Sequence, residues 1–315
     1  MRAGTAEITP VNLALRPEAM EERRALEKDF PDAGFYVDQF LAHTGGSPET
    51  FQPVEFRPYT FAIAKLSGSI AEDRDALGRF AADAASLQRM GLILDVMHGA
   101  GKQITAKLSA AGFRSETRPD GTRITPGEHM WAVYESLEEV NAAICEAIVK
   151  EGGVVEPVKD IFTAALSDPD DRGSVEQITK VDTGQIEEAS LAGKIPVCRP
   201  DGHTVLPNGE VAATNINADI AGRALAAALK VLKYISLTDT PIVERGIPQR
   251  NLTAEKAAAM IDSGDIHGGA VVKVREGIEL VRQGVHQVVI VQFDHFRNEL
   301  YQPEGSANMG TNIHE

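Results

Sequence analysis

Two stretches decide the fold: TFAIAKLSGSI at 60–70 and GLILDVMHGAGKQI at 91–104. Each is an apolar run that breaks at glycine and small polar residues and then passes into a helical pattern. The first ends in Lys65 and turns at Ser67-Gly68-Ser69, ahead of a helix expected over 72–89. The second turns at His98-Gly99-Ala100-Gly101, and a helix begins at once. Strand, glycine turn and helix, twice over, predict an α/β protein with a parallel sheet covered by helices on both faces. In such sheets ligands bind beyond the carboxyl ends of the strands, where both glycine turns fall.

Working toward the N-terminus, residues 17–28 read as a charged helix with Pro17 suited to its first turn. Residues 35–43 read as a second short helix, before the break TGGSPE. This helical extension, residues 1–50, is either packing decoration or an oligomer contact, because its apolar face needs a partner. Toward the C-terminus, RPDGTRIT at 118–125 carries the Asp-Gly signal of a β-ribbon. A long helix over 131–150 ends before Gly152-Gly153. Short strands with the polar turns SDPDD and VDTGQ occupy 160–185, followed by a helix over 186–192 and the buried strand KIPVCRP. PDGHTVLPNGE at 200–210 supplies two turn signals and a small hairpin.

The stretch TNINADIAGRALAAAL at 214–229 places Asn215, Asn217 and Asp219 at the start of an Ala/Leu-rich helix. Such residues cap helices, and a carboxylate is stable at the positive end of the dipole; they also orient polar ligands. Residues 234–243 form an apolar strand broken by Thr238-Asp239. A helix over 252–263 has Thr253 as N-cap, only partly boxed because Lys256 stands where Glu or Gln would complete it. DIHGGAVVKV at 265–274 sets a Gly-Gly pair before Lys273, with a helix following through Arg282 and a strand over 286–293. The expected organisation is one continuous body of two lobes, 51–212 and 213–315.

Composition narrows the function. The 315 residues carry a net charge of −15, which disfavours a nucleic-acid or anionic-membrane surface. The two isolated cysteines, Cys145 and Cys198, have no zinc-ligand spacing and suit buried thiols in a reducing compartment. No signal-like segment or membrane-length apolar run is present, so the expectation is a cytoplasmic protein.

Glycine turns at strand ends, lysines beside them and small polar groups suit phosphoryl transfer, which needs alignment and cations more than covalent chemistry. Lys65 and Lys273, in matching contexts, are read as coming from opposite lobes, with Asp219 holding both ammonium groups. HGAGKQ mimics the tail of a Walker A loop, but Gln103 and Val96 break that pattern, and no GxGxxG, GxSxG or HExxH occurs. Singly, each residue has a plainer reading: a solvated lysine, a tight turn, a core histidine at His98.

In order, the segments FAIAKLSGSI, MHGAGKQI, GTRIT, NINADIA, LTD, GGAVVKV and GTNI resemble the amino acid kinase family, and within it the acetylglutamate kinases. The Lys-x-Ser-Gly form of the first segment resembles those fused to an acetyltransferase; that second domain is expected to be absent here. The resemblance implies a three-layer αβα sandwich, an acceptor-binding N-terminal lobe and an ATP-binding C-terminal lobe. It implies that Lys65 and Lys273 stabilise the transferring phosphoryl group and that Asp219 positions them. Gly68, Ala100 and Gly101 would meet the phosphoryl group or acceptor, and Arg123 and Asn215 the acceptor's α-carboxylate and amide. Thr238, Asp239, Asp265, His267, Gly268 and Gly269 would line the ATP site, with Mg2+ arriving on the nucleotide.

The implied reaction is ATP-dependent phosphorylation of the γ-carboxylate of N-acetyl-L-glutamate in arginine biosynthesis, by a homo-oligomer (dimer or tetramer), with L-arginine a candidate feedback inhibitor. Three departures stand out: Ala100 replaces the middle glycine of HGGG, Lys102 replaces proline, and Ile242 replaces a glycine after LTD. They keep two alternatives open: the same chemistry on another carboxylate or carbamate acceptor, or a non-catalytic arginine- or partner-binding module.

Overall fold

The computed structural model describes residues 17–29, 62–118, 121–231, 233–238, 241–244, 247–285, 287–301 and 310–314. The helix expected over 35–43 and the candidate Asp239 lie outside the described residues.

Helix α1 (Pro17–Asp29) precedes β1 (Ala62–Leu66), α2 (Arg74–Arg89), β2 (Leu94–His98) and α3 (Gly101–Ala110). A ribbon of β3 (Glu116–Thr117) and β4 (Arg123–Ile124) leads into the long helix α4 (Met130–Lys150) and β5 (Val155–Val158). Then come β6 (Phe162–Leu166), β7 (Val175–Val181), α5 (Gly184–Leu191), β8 (Ile195–Cys198), β9 (Asp201–Val205) and β10 (Val211–Asn215). The remainder is α6 (Ala218–Leu229), β11 (Lys233–Thr238), β12 (Val243–Glu244), β13 (Ile247–Pro248), β14 (Asn251–Thr253), α7 (Ala254–Asp262), α8 (Gly269–Arg282), β15 (Gln287–Gln292), α9 (Phe296–Tyr301) and β16 (Thr311–His314).

The eight-stranded sheet has the order β14-β16-β15-β11-β1-β2-β8-β5. Among the described pairings within it, only β15 with β16 is antiparallel. The mostly parallel sheet expected from the repeated strand-turn-helix pattern is present. Its central strands are buried on both faces, and side-chain alternation divides them between two cores. Ala62, Ala64 and Leu66 of β1 face a core with α2 and α4, where Phe80, Leu137 and Ile144 pack. Ile63 faces the opposite core, with Leu225 of α6 and Val274 and Ile278 of α8. Lys65 is two residues beyond Ile63 and so emerges on the α6–α8 face of one of the two central strands.

Local chemistry sets the element boundaries. Asp73 caps α2, its carboxylate accepting from the amides of Asp75 (3.1 Å) and Ala76 (2.9 Å), which contributes about 1 kcal/mol. The preceding Gly68–Glu72 forms a tight 3-10 turn, so α2 begins two residues later than the pattern suggests. Thr253 caps α7 by accepting from the Lys256 amide at 3.1 Å. α1 packs on α2 within the chain: Ala19 and Leu26 are buried, and Glu22 pairs with Arg89 at 2.9 Å. Cys145 and Cys198 are buried free thiols, and burial pushes both upward in pKa, Cys145 to about 11. No described helix is long and apolar enough to cross a membrane.

Two expectations differ from the structure. Asp201-Gly202 is not a turn but the start of strand β9; only the segment around Pro207-Asn208-Gly209 reverses the chain, between β9 and β10. Gly202 is needed for close approach, because a Cβ there would lie 2.3 Å from the Phe162 carbonyl oxygen. Of the residues expected to cap α6, Asn217 does so, accepting from the Asp219 amide at 2.8 Å. Lys273 does not precede a helix. It lies inside α8, which Gly268 and Gly269 open, so its context does not match that of the strand residue Lys65.

Candidate active site

The chain brings Lys65, Asp219 and Lys273 together from β1, α6 and α8. Lys65 Nζ lies 2.5 Å and Lys273 Nζ 3.1 Å from the same oxygen, Asp219 Oδ1. Asn217 takes the capping duty, which leaves the Asp219 side chain, in the first turn of α6, aimed at the sheet. A second rung, Arg223 with Glu276, joins α6 to α8 one turn further along with the charges reversed. The two helices are therefore held in register by oppositely oriented ion pairs at i,i+4 and i,i+3 spacings.

Burial and the neighbouring charges oppose one another in this site. Lys65 is 4% exposed. Burial, and then the neighbouring Lys273, lower its pKa to about 8 even though Asp219 acts the other way. Burial by itself would raise Asp219, but the two ammonium groups together outweigh it and hold the carboxyl at about 2. Two cations thus share one anion, with net positive charge left to face the cleft.

That cleft has a volume of about 260 Å³ and is lined by both glycine turns, by Arg123 and Asn215, and by the lysine–aspartate trio. Gly68 abuts the second turn so closely that a Cβ would lie 2.5 Å from the Gly99 carbonyl oxygen and 2.8 Å from Ala100 Cα. Gly68→Ala is expected to force the turns apart and cost about 1–3 kcal/mol, read as a lower urea midpoint, with activity falling further than stability. Unchanged activity would show that this contact does not shape the site.

Arg123 projects from β4 to the mouth of α3. It donates to the Gly101 carbonyl (2.7 Å) and Thr105 Oγ1 (3.0 Å), and also to Ser115 Oγ. Asn215 ends β10 and donates to Thr125 Oγ1 at 2.9 Å. Ala100 occupies the N-cap position of α3 and makes no side-chain capping bond, and Ala100 and Gly101 line the cleft at this uncapped helix start.

The nucleotide-site candidates are more dispersed. Thr238 is buried at the end of β11 and lines a separate cavity of about 810 Å³ together with Ser69 and Lys102. Lys102, one residue into α3, therefore faces that cavity, whereas the 260 Å³ cleft is lined by neighbouring Gly101. Asp265 accepts from Ser263 Oγ at 2.7 Å, and His267 is exposed. Gly268, at φ 62°, caps α8 without a side-chain bond, and Gly269 begins the helix. His98 is a core residue: it is fully buried, Asn141 Nδ2 lies 3.1 Å from its Nε2, and burial lowers its pKa to about 4. Thr105 and Ser115, which orient Arg123, carry no motif signal, and Thr125, which closes the GTRIT segment, is assigned no role by the sequence. Their polar side chains gain meaning only once the ribbon is folded over α3.

The sequence pattern that defines the amino acid kinase family matches residues 60–292. This chain belongs to the amino acid kinase family. An acetylglutamate kinase from Caulobacter vibrioides (strain NA1000 / CB15N) is 36% identical over 255 residues, covering 73% of this chain and 82% of that protein. Among solved structures, an N-acetylglutamate synthase from Neisseria gonorrhoeae, complexed with coenzyme A and N-acetyl-glutamate, aligns with a TM-score of 0.72 at 20% identity. That alignment covers 90% of this chain and 62% of the synthase. A Giardia lamblia carbamate kinase bound to AMP-PNP aligns at 0.61 with 17% identity, over 81% of this chain and 98% of the kinase. These last two are likenesses of fold.

Proposed function

We propose that this amino acid kinase transfers the γ-phosphoryl group of ATP to the γ-carboxylate of N-acetyl-L-glutamate, forming an acyl phosphate, as a step of arginine synthesis. The observation that carries the reading is the pair of ammonium groups on one Asp219 oxygen, at the floor of a cleft that also holds Arg123 and Asn215. The 36% identity to an acetylglutamate kinase supports the acceptor.

In this reading residues 51–212, joined by Asn215 from just beyond them, hold the acceptor, and the rest of 213–315 holds the nucleotide. A carboxylate is already ionised near neutral pH, so the attack needs no general base. The carboxylate oxygen forms the new O–P bond while the bond to ADP breaks. Lys65 and Lys273 meet the charge that spreads over the migrating phosphoryl oxygens, and Asp219 fixes their positions. Arg123 and Asn215 hold the α-carboxylate and amide. The ATP phosphates lie near Gly68 and the uncapped start of α8, whose amides suit anions, with Thr238 and Asp239 on the nucleotide side. Mg2+ comes on the nucleotide. Among the described residues no group of three or more His, Cys, Asp or Glu side chains is placed to hold a metal alone.

Lys65 gives a pH prediction. Its ammonium form is the working form, and it is lost as pH rises through about 8. kcat/KM, which reports the free enzyme, is therefore expected to fall above about pH 8, while kcat, measured with anionic phosphates bound, holds to higher pH. Matching profiles with no alkaline limb below pH 10 would contradict this.

The acceptor is tested by coupled ADP release with MgATP across N-acetyl-L-glutamate, N-acetyl-L-aspartate, an N-acyl-aminoadipate and carbamate. Turnover confined to a non-glutamyl acceptor would overturn the substrate assignment, and ATP binding with no turnover would overturn the enzymatic one.

A further inference from the structure

We infer that Asp171 is a positioning residue: it fastens the β3–β4 ribbon over the cleft and thereby sets Arg123 and Asn215 for the acceptor. The inference rests on the reading of those two side chains as acceptor ligands. Asp171 belongs to no motif and lies in SDPDD, a stretch that reads as an ordinary polar turn.

The ribbon cannot hold itself. It has two residue pairs, Glu116 with Ile124 and Thr117 with Arg123, and short isolated hairpins are marginal in water. Asp171 is buried and ties down both arms. Its Oδ1 accepts from the Thr125 amide, just past β4, and from the Gly173 amide, each at 2.8 Å. Its Oδ2 pairs with the guanidinium of Arg118, which follows β3. Arg118 also reaches the Gly173 carbonyl at 3.4 Å. Charge-assisted bonds of this kind are the stronger ones, and burial shields them from salt.

The same loop joins the second acceptor side chain. The Arg172 amide donates to the Thr125 carbonyl (2.8 Å), and the Asn215 amide donates to the Arg172 carbonyl (2.9 Å). Asn215 Nδ2 returns to Thr125 Oγ1. Loop and ribbon meet backbone to backbone: a Cβ on Gly173 would lie 2.0 Å from the Arg123 carbonyl oxygen, so no side chain can intervene. One carboxylate therefore links the segment before Arg123, the segment after it and, through Arg172, the end of β10.

Asp171→Asn removes the charge at nearly constant size. It is expected to raise KM for N-acetyl-L-glutamate at least about tenfold, with KM for ATP within about twofold of wild type, because misplaced ligands lose orientation while the nucleotide side is untouched. Amides of 116–125 should exchange faster with solvent, and those of β1 and β2 at wild-type rates. In an Arg123→Ala background the same change should have little further effect on the acceptor KM, since the two substitutions act through one contact. Arg118→Gln, which leaves the Oδ1 bonds intact, provides a second variant with a smaller effect in the same direction should Asp171→Asn not fold.

Unchanged ribbon exchange would overturn the inference, as would a joint rise in both KM values, which is what general loosening gives. If wild type turns over a different acceptor, the substrate assignment falls and the ribbon test runs with that acceptor. If it turns over none, the exchange measurement alone decides.

Discussion

Replacing Lys273 with alanine is expected to lower kcat by about 10²–10³-fold while changing KM for either substrate by only a few-fold. The asymmetry follows from where the ammonium stands. It is already neutralised in part by Asp219, at 3.1 Å, so it offers the ground-state substrates only a share of its charge. During transfer, charge spreads over the migrating group between donor and acceptor, and the cations at the cleft floor meet it in the transition state. Stability should change little, because Lys65 remains to pair with Asp219 at 2.5 Å. Steady-state kinetics with both substrates varied, alongside urea unfolding, separate these effects. A Lys273→Ala enzyme with unchanged kcat and a large rise in KM would assign this lysine to binding alone.

Asp219→Ala should be the most damaging single change to fold and activity together. It leaves two ammonium groups, one of them buried, without their shared anion. Breaking a buried pair from one side costs about 3–5 kcal/mol. With the carboxylate gone, the influence that raises the Lys65 pKa is gone too, while burial and Lys273 still lower it. The alkaline limb of kcat/KM should therefore move to lower pH than in wild type, on top of a large fall in kcat. Adding Lys273→Ala to Asp219→Ala should recover part of the lost stability by removing one of the unpaired cations. No recovery in the urea midpoint, or a pH profile that does not move, would show that the three groups are not coupled as their geometry suggests.

The parallel sheet was legible because β1, β2 and their turns make a strong local signal: mostly apolar runs, then glycine, then helix. The location of the cleft at the strand ends followed from that topology. The meeting of Lys65 with Asp219 and Lys273 was read from ordered motifs, but the reason for it was not. It depends on side-chain alternation along β1 and on the packing of α6 beside α8, neither of which has a local signature. Context misled for Lys273, because a Gly-Gly pair opens a helix as readily as it ends a strand. Gly202 misled for a related reason: Asp-Gly is the commonest hairpin signal, yet here the glycine is dictated by a neighbouring strand's carbonyl. Asp171 was illegible because its partners outside its own turn, Arg118 and Thr125, lie 53 and 46 residues away on the two arms of a ribbon.

The most direct measurement is hydroxylamine trapping of the product with N-acetyl-L-glutamate and MgATP. An acyl phosphate yields a hydroxamate in proportion to ADP formed. The account predicts stoichiometric hydroxamate from wild type, and loss of both products together when Lys65 and Lys273 are replaced by methionine in a protein that still unfolds cooperatively. ADP without hydroxamate, or undiminished hydroxamate from the doubly substituted protein, would contradict the proposal that these two lysines carry a phosphoryl group to a carboxylate.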